Sequence, residues 1–560
     1  MKILPCFLLL LFAGLLSFQS RARNCNDEYK DTSRHIINFV NFIRQSEPRD
    51  AAVTEDVLFQ TVKEEVILLK KHNLPGTFLL QYDALINPRY QQLLKEELNP
   101  GSEVGAWWEI TQPHVEAAGL QWRGRYSWDW HANVGFATGY TPEEREKLVD
   151  VYMDKFKSVF GKYPASVGSW FIDAHTLAYL YDKYHIVASC NCKDQIGTDG
   201  YTLWGGYWNQ AYYPSRLNAY MPAQTTAMQI GVPVFRMLGS DPIYQYESGI
   251  GTGMSHVITL EPVYEKGGGD KSWVEWFLRS LSEEPCLSFA YAQAGQENSF
   301  TWKAIKPGLE MQVTIIDSLR RAGKVTVETL AESGTWFRDK FPVTPPTAVT
   351  AMHDYRNEEH KTVWYNSRFY RTNLYWEGPE FRFRDLHLFD EAYKSAYLDK
   401  AGTSTQCIYK TLPVLDGFSW STEKDLAGIR IVQFDKSGKA AVVKSGAPAV
   451  KALPGNRLEV EWKDLRGNTF RFTFSEDHFD ISCRPVSKGF KWALELHTAP
   501  GVVLPFRTIG QQQIEATADN FSYSLYCTKG HIEKGPQDKQ YVFRLYPYND
   551  ILRIACTNGR

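Results

Sequence analysis

The chain has 560 residues, more than a single hydrophobic core usually holds, which favours two or three domains. Lys and Arg together number 62 and Asp and Glu 64, so the net charge is −2. Because there is no basic surplus, the composition argues against nucleic acid or an anionic membrane surface as a partner. Aromatic residues make up 14% of the chain, with 17 Trp and 31 Tyr, and so many rings must pack or bind something.

Residues 1–22 have the pattern of a signal peptide. Lys2 gives a short positive segment, an apolar run covers residues 3–16, and Ser20 and Ala22 are the small residues expected for cleavage after Ala22. A membrane anchor is the alternative, but the run is short for a bilayer span. No later segment reaches about 18 apolar residues. We therefore expect a secreted or periplasmic protein without a membrane span in its mature form.

From about residue 34 to 330, short apolar runs alternate with longer amphipathic ones. The short runs predict seven strands, at 35–43, 76–82, 103–109, 166–173, 186–192, 232–239 and 286–293. Helical patterns lie between several of them, at 53–72, 141–160 and 174–184. This alternation predicts a parallel sheet, and strands that are apolar on both faces favour a closed (β/α)7-8 barrel over residues 30–340. No Gly-rich phosphate loop follows the first strand, which argues against a dinucleotide-binding fold.

The pattern changes after a Pro-rich segment that begins at Phe341, and residues 341–354 are predicted to be a linker. Leu458, Val460 and Trp462 then alternate with charged residues, a turn follows at 466–468, and three Phe alternate over 470–474. A period of two on both sides of a short turn is typical of a β-hairpin. Residues 355–560 are therefore predicted to form a C-terminal all-β sandwich domain.

Four of the seven predicted barrel strands end in a carboxylate, at Asp83, Glu109, Asp173 and Asp241. The active site of a parallel barrel lies at the carboxyl ends of its strands. Glycoside hydrolysis needs two carboxylates that face each other across the scissile bond. We accordingly take Asp173, Glu109 and Asp241 as the candidate catalytic residues.

Each of these carboxylates also has a purely structural interpretation. Asp173 could be the N-cap of the helix that starts at Ala174. Glu109 could be held in a buried salt bridge. Asp83 and Asp241 could be ordinary turn residues.

Tryptophan is concentrated in the barrel region, with eight of the 17 residues between positions 107 and 208. Most of them lie at predicted strand ends or in loops, where rings can stack on sugars. The candidate substrate-binding residues are Trp107, Trp108, Trp128, Asp129, Trp130, His131, Trp170, His175, Trp204, Trp208 and Tyr212. The alternative is a second hydrophobic cluster beneath a long loop.

Three segments carry a resemblance to known proteins: residues 73–80 (NLPGTFLL), 126–131 (YSWDWH) and 168–175 (GSWFIDAH). They resemble a family of secreted proteins from gut Bacteroides-type bacteria. That family is placed in the glycoside hydrolase/deacetylase β/α-barrel superfamily, and the likeness also includes residues 364–370. The resemblance implies a barrel fold more firmly than it implies a reaction.

Within that superfamily, residues 170–173 are similar to the fourth-strand segment of family-38 α-mannosidases, which implies Asp173 as the nucleophile. Those enzymes also carry a His-x-Asp metal pair on the first strand, where this chain has Asn38-Phe39-Val40. The Asp-Asp and His-x-x-x-His ligands of polysaccharide deacetylases are missing as well. The cysteines are scattered, unlike a zinc site. We therefore predict no metal and no cofactor for the hydrolase.

Three hypotheses follow for a protein with a carbohydrate substrate. The first is a glycoside hydrolase, with Asp173 as nucleophile or stabilising carboxylate and Glu109 or Asp241 as general acid. The second is a metal-dependent polysaccharide deacetylase, in which a divalent ion such as zinc would bind near Asp129 or His131. The third is a non-catalytic glycan-binding protein on a degenerate barrel.

Overall fold

The computed structural model describes residues 33–536 and 541–557, and the predicted signal peptide lies outside them. The first twelve strands are β1 (Arg34–Ile43), β2 (Thr77–Leu80), β3 (Glu103–Trp107), β4 (Ser166–Gly168), β5 (Ala188–Asn191), β6 (Tyr201–Leu203), β7 (Ala211–Tyr212), β8 (Pro214–Ser215), β9 (Asn218–Pro222), β10 (Val234–Arg236), β11 (Phe289–Ala294) and β12 (Thr326–Val327). All seven strands predicted for the barrel are present, although most are shorter than their apolar runs.

Seven of these strands form a parallel sheet in the order β11-β1-β2-β3-β4-β5-β10, and the short β12 also pairs with β1 in parallel. The sheet curls into a nearly closed barrel. No backbone ladder joins β10 to β11 in the described residues, but the rings of Phe235 and Tyr291 pack across this gap with centroids 4.8 Å apart. The predicted (β/α)7-8 barrel is thus confirmed.

The helices that cover the barrel are α1 (Glu55–Lys71), α2 (Tyr82–Ile86), α3 (Pro88–Glu96), α4 (Gln112–Ala117), α5 (Pro142–Phe160), α6 (Ala174–Tyr184), α7 (Lys271–Glu283), α8 (Trp302–Arg321) and α9 (Leu330–Lys340). Their ends follow local sequence signals. In α5, Thr141 and Glu144 form a capping box, and Gly161 ends the helix in the left-handed conformation with φ 77°. No helix in the described ranges is long and apolar enough to cross a membrane.

The remaining strands are β13 (Thr347–Ala351), β14 (His360–Asn366), β15 (Tyr370–Glu377), β16 (Glu380–Leu388), β17 (Cys407–Tyr409), β18 (Leu412–Asp416), β19 (Gly428–Phe434), β20 (Ala440–Val442), β21 (Ala449–Leu453), β22 (Arg457–Lys463), β23 (Thr469–Phe474), β24 (His478–Arg484), β25 (Lys491–His497), β26 (Phe506–Ile509), β27 (Gln513–Ala518), β28 (Phe521–Lys529), β29 (His531–Lys534), β30 (Phe543–Tyr546) and β31 (Ile551–Ala555). Most of them belong to a ten-stranded and an eight-stranded antiparallel sheet. Strand β13 lies within the segment predicted as a linker, and the predicted domain boundaries stay predictions.

The two large sheets pack face to face through aromatic rings, as predicted for a sandwich. Phe381 of the ten-stranded sheet lies 5.3 Å from Trp462 of the eight-stranded sheet, and Phe383 lies 5.8 Å from Phe472. The predicted hairpin is β22–β23, with Trp462 opposite Phe470 in the register. Alternation places these rings on the inner face because side chains of a strand point to opposite faces in turn.

A buried charge network joins the ten-stranded sheet to the barrel. Asp194, which follows β5, pairs with Arg236 at 2.7 Å and with Arg371 of β15. Arg371 in turn donates to both carboxylate oxygens of Asp385, at 2.9 and 2.7 Å. All four side chains are almost fully buried. The ten-stranded sheet therefore holds the segment that follows β5 in place at the carboxyl end of the barrel.

A two-stranded parallel pairing makes a second junction. Strand β17, from the chain beyond the barrel, lies in register with β6, with Cys407 opposite Tyr201. Tyr201 is almost fully buried and belongs to the loop region after β5.

Candidate functional site

A cavity of about 410 Å³ opens where the parallel strands terminate. The residues that reach it from the strand ends are Arg44 after β1, Glu109 after β3, Trp170 after β4, Lys193 after β5, Leu238 after β10 and Glu297 after β11. Six of the seven barrel strands thus contribute, which is the usual arrangement of an active site in a parallel barrel.

Arg44 is the central cation of the cavity. Its Nε and Nη2 donate to the two carboxylate oxygens of Glu109 at 2.9 and 2.7 Å, and its Nη1 lies 2.8 Å from Glu297. The guanidinium also stacks over Trp128, 4.2 Å from the ring centroid. Gln81, at the end of β2, donates a further hydrogen bond to Glu109. Glu109 is thereby held as a fully paired carboxylate, since a two-pronged Arg contact is among the strongest in proteins.

Glu297 is the second carboxylate on Arg44. The Ser299 hydroxyl donates to its Oε1 at 2.6 Å, and its Oε2 is the oxygen that lies 2.8 Å from Arg44 Nη1. Burial raises the pKa of Glu297, and the charge of Arg44 offsets part of that rise. Each oxygen of Glu297 thus has one polar partner, and the carboxyl group lines the cavity.

Glu261, from the loop between β10 and α7, lines the same cavity without a cation at ion-pair distance among the described residues. Gln296 donates to its Oε1 at 3.0 Å and Thr259 to its Oε2 at 2.7 Å. Burial raises the pKa of Glu261, and the two hydrogen bonds offset part of that rise. Burial without a paired cation thus favours the protonated form of Glu261, which suits a general acid.

Aromatic rings form the apolar part of the lining. They are Trp128, Phe136, Trp130, Trp170, Tyr201, Tyr264 and Phe300. Trp128 is almost fully buried, and the guanidinium of Arg44 lies over its ring. Flat rings beside carboxylates match the mixed surface of a sugar.

Of the predicted substrate-binding residues, Trp128, Trp130 and Trp170 lie in this cavity. Trp107 lies beneath it in the barrel interior, stacked on Phe42 with centroids 4.1 Å apart. Trp108 points to the opposite face of β3 and packs against the His114 ring at 5.5 Å. Alternation along one strand thus separates the two neighbouring indoles.

Asp173 is not among the residues that line the cavity. It is the N-cap of α6, where its Oδ1 accepts from the Thr176 amide at 2.9 Å and its Oδ2 from the Thr176 hydroxyl at 2.6 Å. Arg145 Nη1 donates to the same carboxylate at 2.8 Å, and both side chains are completely buried. The geometry therefore gives Asp173 a structural role, and the function proposed below does not use it as the nucleophile.

Asp241 and Asp83 also lie outside the cavity lining. Asp241 accepts from the amides of Ile243 and Tyr244, both at 2.7 Å, and from Trp273 Nε1 at 2.7 Å. This is a turn-forming carboxylate with all its contacts inside the protein. Burial raises the pKa of Asp83 to about 7.

Asp129, His131 and His175 form local ion pairs. Asp129 is bound by Arg125, whose Nε and Nη2 donate at 2.9 and 3.0 Å, and its Oδ1 lies 3.1 Å from the His131 ring. His175 lies 3.0 Å from Glu146 on α5. None of the three lines the cavity.

Trp204, Trp208 and Tyr212 are buried between the barrel and the ten-stranded sheet. Trp208 stacks on Trp364 with centroids 3.8 Å apart, and Trp204 packs on Tyr246 at 5.0 Å. Tyr212 donates to the carbonyl of Ala219 at 2.7 Å. Trp204 and Trp208 belong to a small hydrophobic cluster with Tyr246 and Trp364, as in the alternative that the sequence left open, whereas Tyr212 belongs to the main core.

A resident divalent metal of the deacetylase type needs a cluster of His and carboxylate ligands. Within residues 33–536 and 541–557, no group of three or more His, Cys, Asp or Glu side chains could hold a metal ion. The cation that Glu109 and Glu297 share is the guanidinium of Arg44. The described residues therefore do not fit such a metal.

Most of the cavity lining escaped the sequence interpretation, including the charged residues Arg44, Lys193, Glu261 and Glu297. Arg44 follows β1 directly, Lys193 lies two residues beyond β5, and Glu297 lies three residues beyond β11. A search of the strand ends for every charged side chain, not for carboxylates alone, would have found these three. Glu261 lies in a long loop and carries no comparable signal.

No protein-family model matches the sequence, and no curated protein matches it. Among solved structures, a Parabacteroides distasonis protein assigned as a glycoside hydrolase/deacetylase is similar with a TM-score of 0.50 and 16% identity, over 69% of this chain and 90% of that one. A Mycobacterium smegmatis protein assigned as a polysaccharide deacetylase has a TM-score of 0.34 and 11% identity, over 57% of this chain and 95% of that one.

The first likeness, at 16% identity, concerns the fold. It shows that this chain has a fold similar to that of the Parabacteroides distasonis protein, which agrees with the fold that the sequence resemblance implied. The narrower resemblance to a secreted Bacteroides-type family stays a prediction.

Proposed function

We propose that this protein is a glycoside hydrolase that acts on an oligo- or polysaccharide outside the cytoplasm. The observation that carries the proposal is that Glu261 and Glu297 line the same aromatic-lined cavity at the carboxyl end of the barrel. Two carboxyl groups in different electrostatic surroundings are what glycosidic bond cleavage requires. The location outside the cytoplasm follows from the predicted signal peptide.

In this proposal Glu261 is the general acid. Its raised pKa keeps the proton that it would transfer to the oxygen of the departing sugar. Burial raises the pKa of Glu297 as well, but its contact with Arg44 offsets part of that rise, and in this proposal Glu297 would act as a carboxylate on the anomeric carbon or on the attacking water. Arg44 and Glu109 would hold Glu297 in place through their shared ion pairs.

The test is a hydrolysis screen with aryl glycosides and acetylated glycans, with and without EDTA. The wild type, Glu261→Gln and Glu297→Gln are compared, with Asp173→Asn as the control variant. We expect glycoside cleavage that EDTA does not affect and that falls about 10²- to 10⁴-fold in the Glu261 variant, the usual contribution of a general acid. The loss should be smaller for aryl groups that leave without protonation. Acetate release that EDTA abolishes would replace the proposal with a deacetylase.

A glycan-binding protein without catalysis is the second candidate. It is favoured by Glu109, whose two oxygens are both engaged by Arg44 and Gln81. Saccharide binding by the wild type with no turnover of any substrate in the screen would establish this candidate instead.

A further inference from the structure

Three cations line the cavity, and one of them differs from the other two in its surroundings. Arg44 contacts Glu109 and Glu297, and Arg49 donates to both oxygens of Glu47 at 2.7 and 2.6 Å. Lys193 has no carboxylate within ion-pair distance among the described residues. Its Nζ lies 3.4 Å from the carbonyl oxygen of Asp194 and 3.5 Å from Gln195 Oε1.

Lys193 is 1% exposed, so its ammonium group is almost removed from water. An ammonium carries three N–H donors, and contacts of this length are weak hydrogen bonds. Burial of a charge without a partner is unfavourable unless a ligand supplies the opposite charge. Because Lys193 lines the cavity, such a ligand could reach it.

The carboxylates of the cavity do not repel an anion as strongly as their number suggests. Glu109 and Glu47 are each paired with an arginine, and burial raises the pKa of Glu261 toward the neutral form. Lys193 is near enough to Glu261 for its charge to offset part of that rise. Asp50 and Asp199 belong to the lining at solvent-exposed positions.

The backbone that carries Lys193 is held firmly. The next residue, Asp194, accepts hydrogen bonds from Tyr220 at 2.8 Å and Arg236 at 2.7 Å, and it also pairs with Arg371. A charged group that is fixed before binding loses little conformational entropy when the ligand arrives.

We propose that Lys193 binds an anionic group of the substrate, so that the saccharide entering the cavity is an acidic one. The group would be a carboxylate or a sulfate ester on the sugar ring, since either presents an oxygen anion to a single ammonium. This inference rests on the proposed function, which it deepens by naming the substrate class.

The experiment is a calorimetric titration of the full chain at fixed ionic strength. Glucuronic acid, galacturonic acid and glucose 6-sulfate are compared with glucose and galactose, for the wild type, Lys193→Met and Lys193→Arg. We expect the wild type to bind at least one acidic sugar about tenfold or more tightly than its neutral counterpart, the range of a charge-assisted hydrogen bond. Lys193→Met should lose this preference, so that its affinities for the acidic sugar and for the neutral counterpart become equal, and Lys193→Arg should keep part of the preference.

Equal affinities for acidic and neutral sugars in the wild type would overturn the inference, as would an unchanged preference in Lys193→Met. The wild-type comparison and Lys193→Arg decide the matter if Lys193→Met does not fold. Hydrolysis of neutral glycosides without an acidic preference overturns this inference alone. Tight binding of acidic sugars without turnover supports it and overturns the proposed hydrolysis.

Discussion

The guanidinium of Arg44 and the carboxylate of Glu109 form a two-pronged ion pair, with N–O distances of 2.9 and 2.7 Å, and the two side chains are at most 3% exposed. Removal of one partner leaves the other charge buried without compensation. We expect Arg44→Met to lower the free energy of unfolding by about 3–5 kcal/mol, the range measured for broken buried pairs. Chemical denaturation at neutral pH measures this change.

A matched control for Arg44 is Arg216, which makes the same two-pronged contact with Asp182 at 2.9 Å on the surface. Its side chain is 38% exposed, so solvent already screens the charge. Arg216→Met should cost about 1 kcal/mol or less. Equal losses of unfolding free energy in the two variants would show that the buried Arg44 pair contributes no more to stability than the surface pair.

Asp173→Asn separates the structural role of Asp173 from a catalytic one. The amide can still cap α6, but Arg145 would lose the carboxylate that compensates its buried charge. We expect a loss of about 3–5 kcal/mol in unfolding free energy and an unchanged kcat per folded molecule. Circular dichroism melting and active-fraction kinetics measure the two effects. A stable variant with a large drop in kcat would instead identify Asp173 as the nucleophile.

The pH dependence of hydrolysis should reveal the titration of the Glu261 carboxyl group. Burial raises its pKa, so the general acid keeps its proton to a higher pH than an ordinary Glu. Activity should therefore fall on the alkaline side, as pH rises through that raised value. Glu261→Gln should remove this limb, because the amide does not titrate. An alkaline limb that survives in the variant would assign the proton to another group.

Glu65, on α1, is a buried carboxyl group that forms no ion pair with the described residues. Neither of its oxygens has a hydrogen-bond partner there, and burial raises its pKa well above the ordinary value. The folded state therefore holds the proton more tightly than the unfolded state. Its stabilising effect is complete below the ordinary Glu pKa and is lost as pH rises toward the raised value.

Glu65→Met should consequently flatten the decline of stability with pH. One proton corresponds to a slope of about 1.4 kcal/mol per pH unit, which denaturation curves from pH 4 to 8 would resolve. The neighbouring Glu64, which is partly exposed and bonds to Gln60, gives the control. Glu64→Met should keep the wild-type slope. A slope that is the same in all three proteins would contradict the assignment to Glu65.

Much of the fold could be predicted because burial imposes periodicity on the sequence. The hairpin of Leu458 and Phe474 appeared as two runs of alternating apolar residues, and α5 as a capping box followed by a 3.6-residue period. Strand ends were less certain. The strand predicted at 166–173 stops at Gly168, because the apolar residues beyond it continue into the loop that brings Trp170 to the cavity.

The site was harder to predict, since its chemistry depends on partners distant in sequence. Glu109 was predicted from its position after β3, but nothing near it indicates that Arg44, 65 residues earlier, would pair with it. Asp173 and Asp241 share the same strand-end position, yet their local hydrogen bonds turn them away from the cavity. The position of a residue at a strand end predicts the location of its backbone, while hydrogen bonds and tertiary contacts determine the direction of its side chain.

The parallel pairing of β6 with β17 ties the cavity to the rest of the chain, since Tyr201 is both a lining residue and the partner of Cys407. Heat that loosens the sheet beyond the barrel would therefore also disturb the wall of the cavity. Melting should accordingly appear as a single calorimetric peak for barrel and sandwich together, and a ligand held by Tyr201 should raise the melting temperature of both at once.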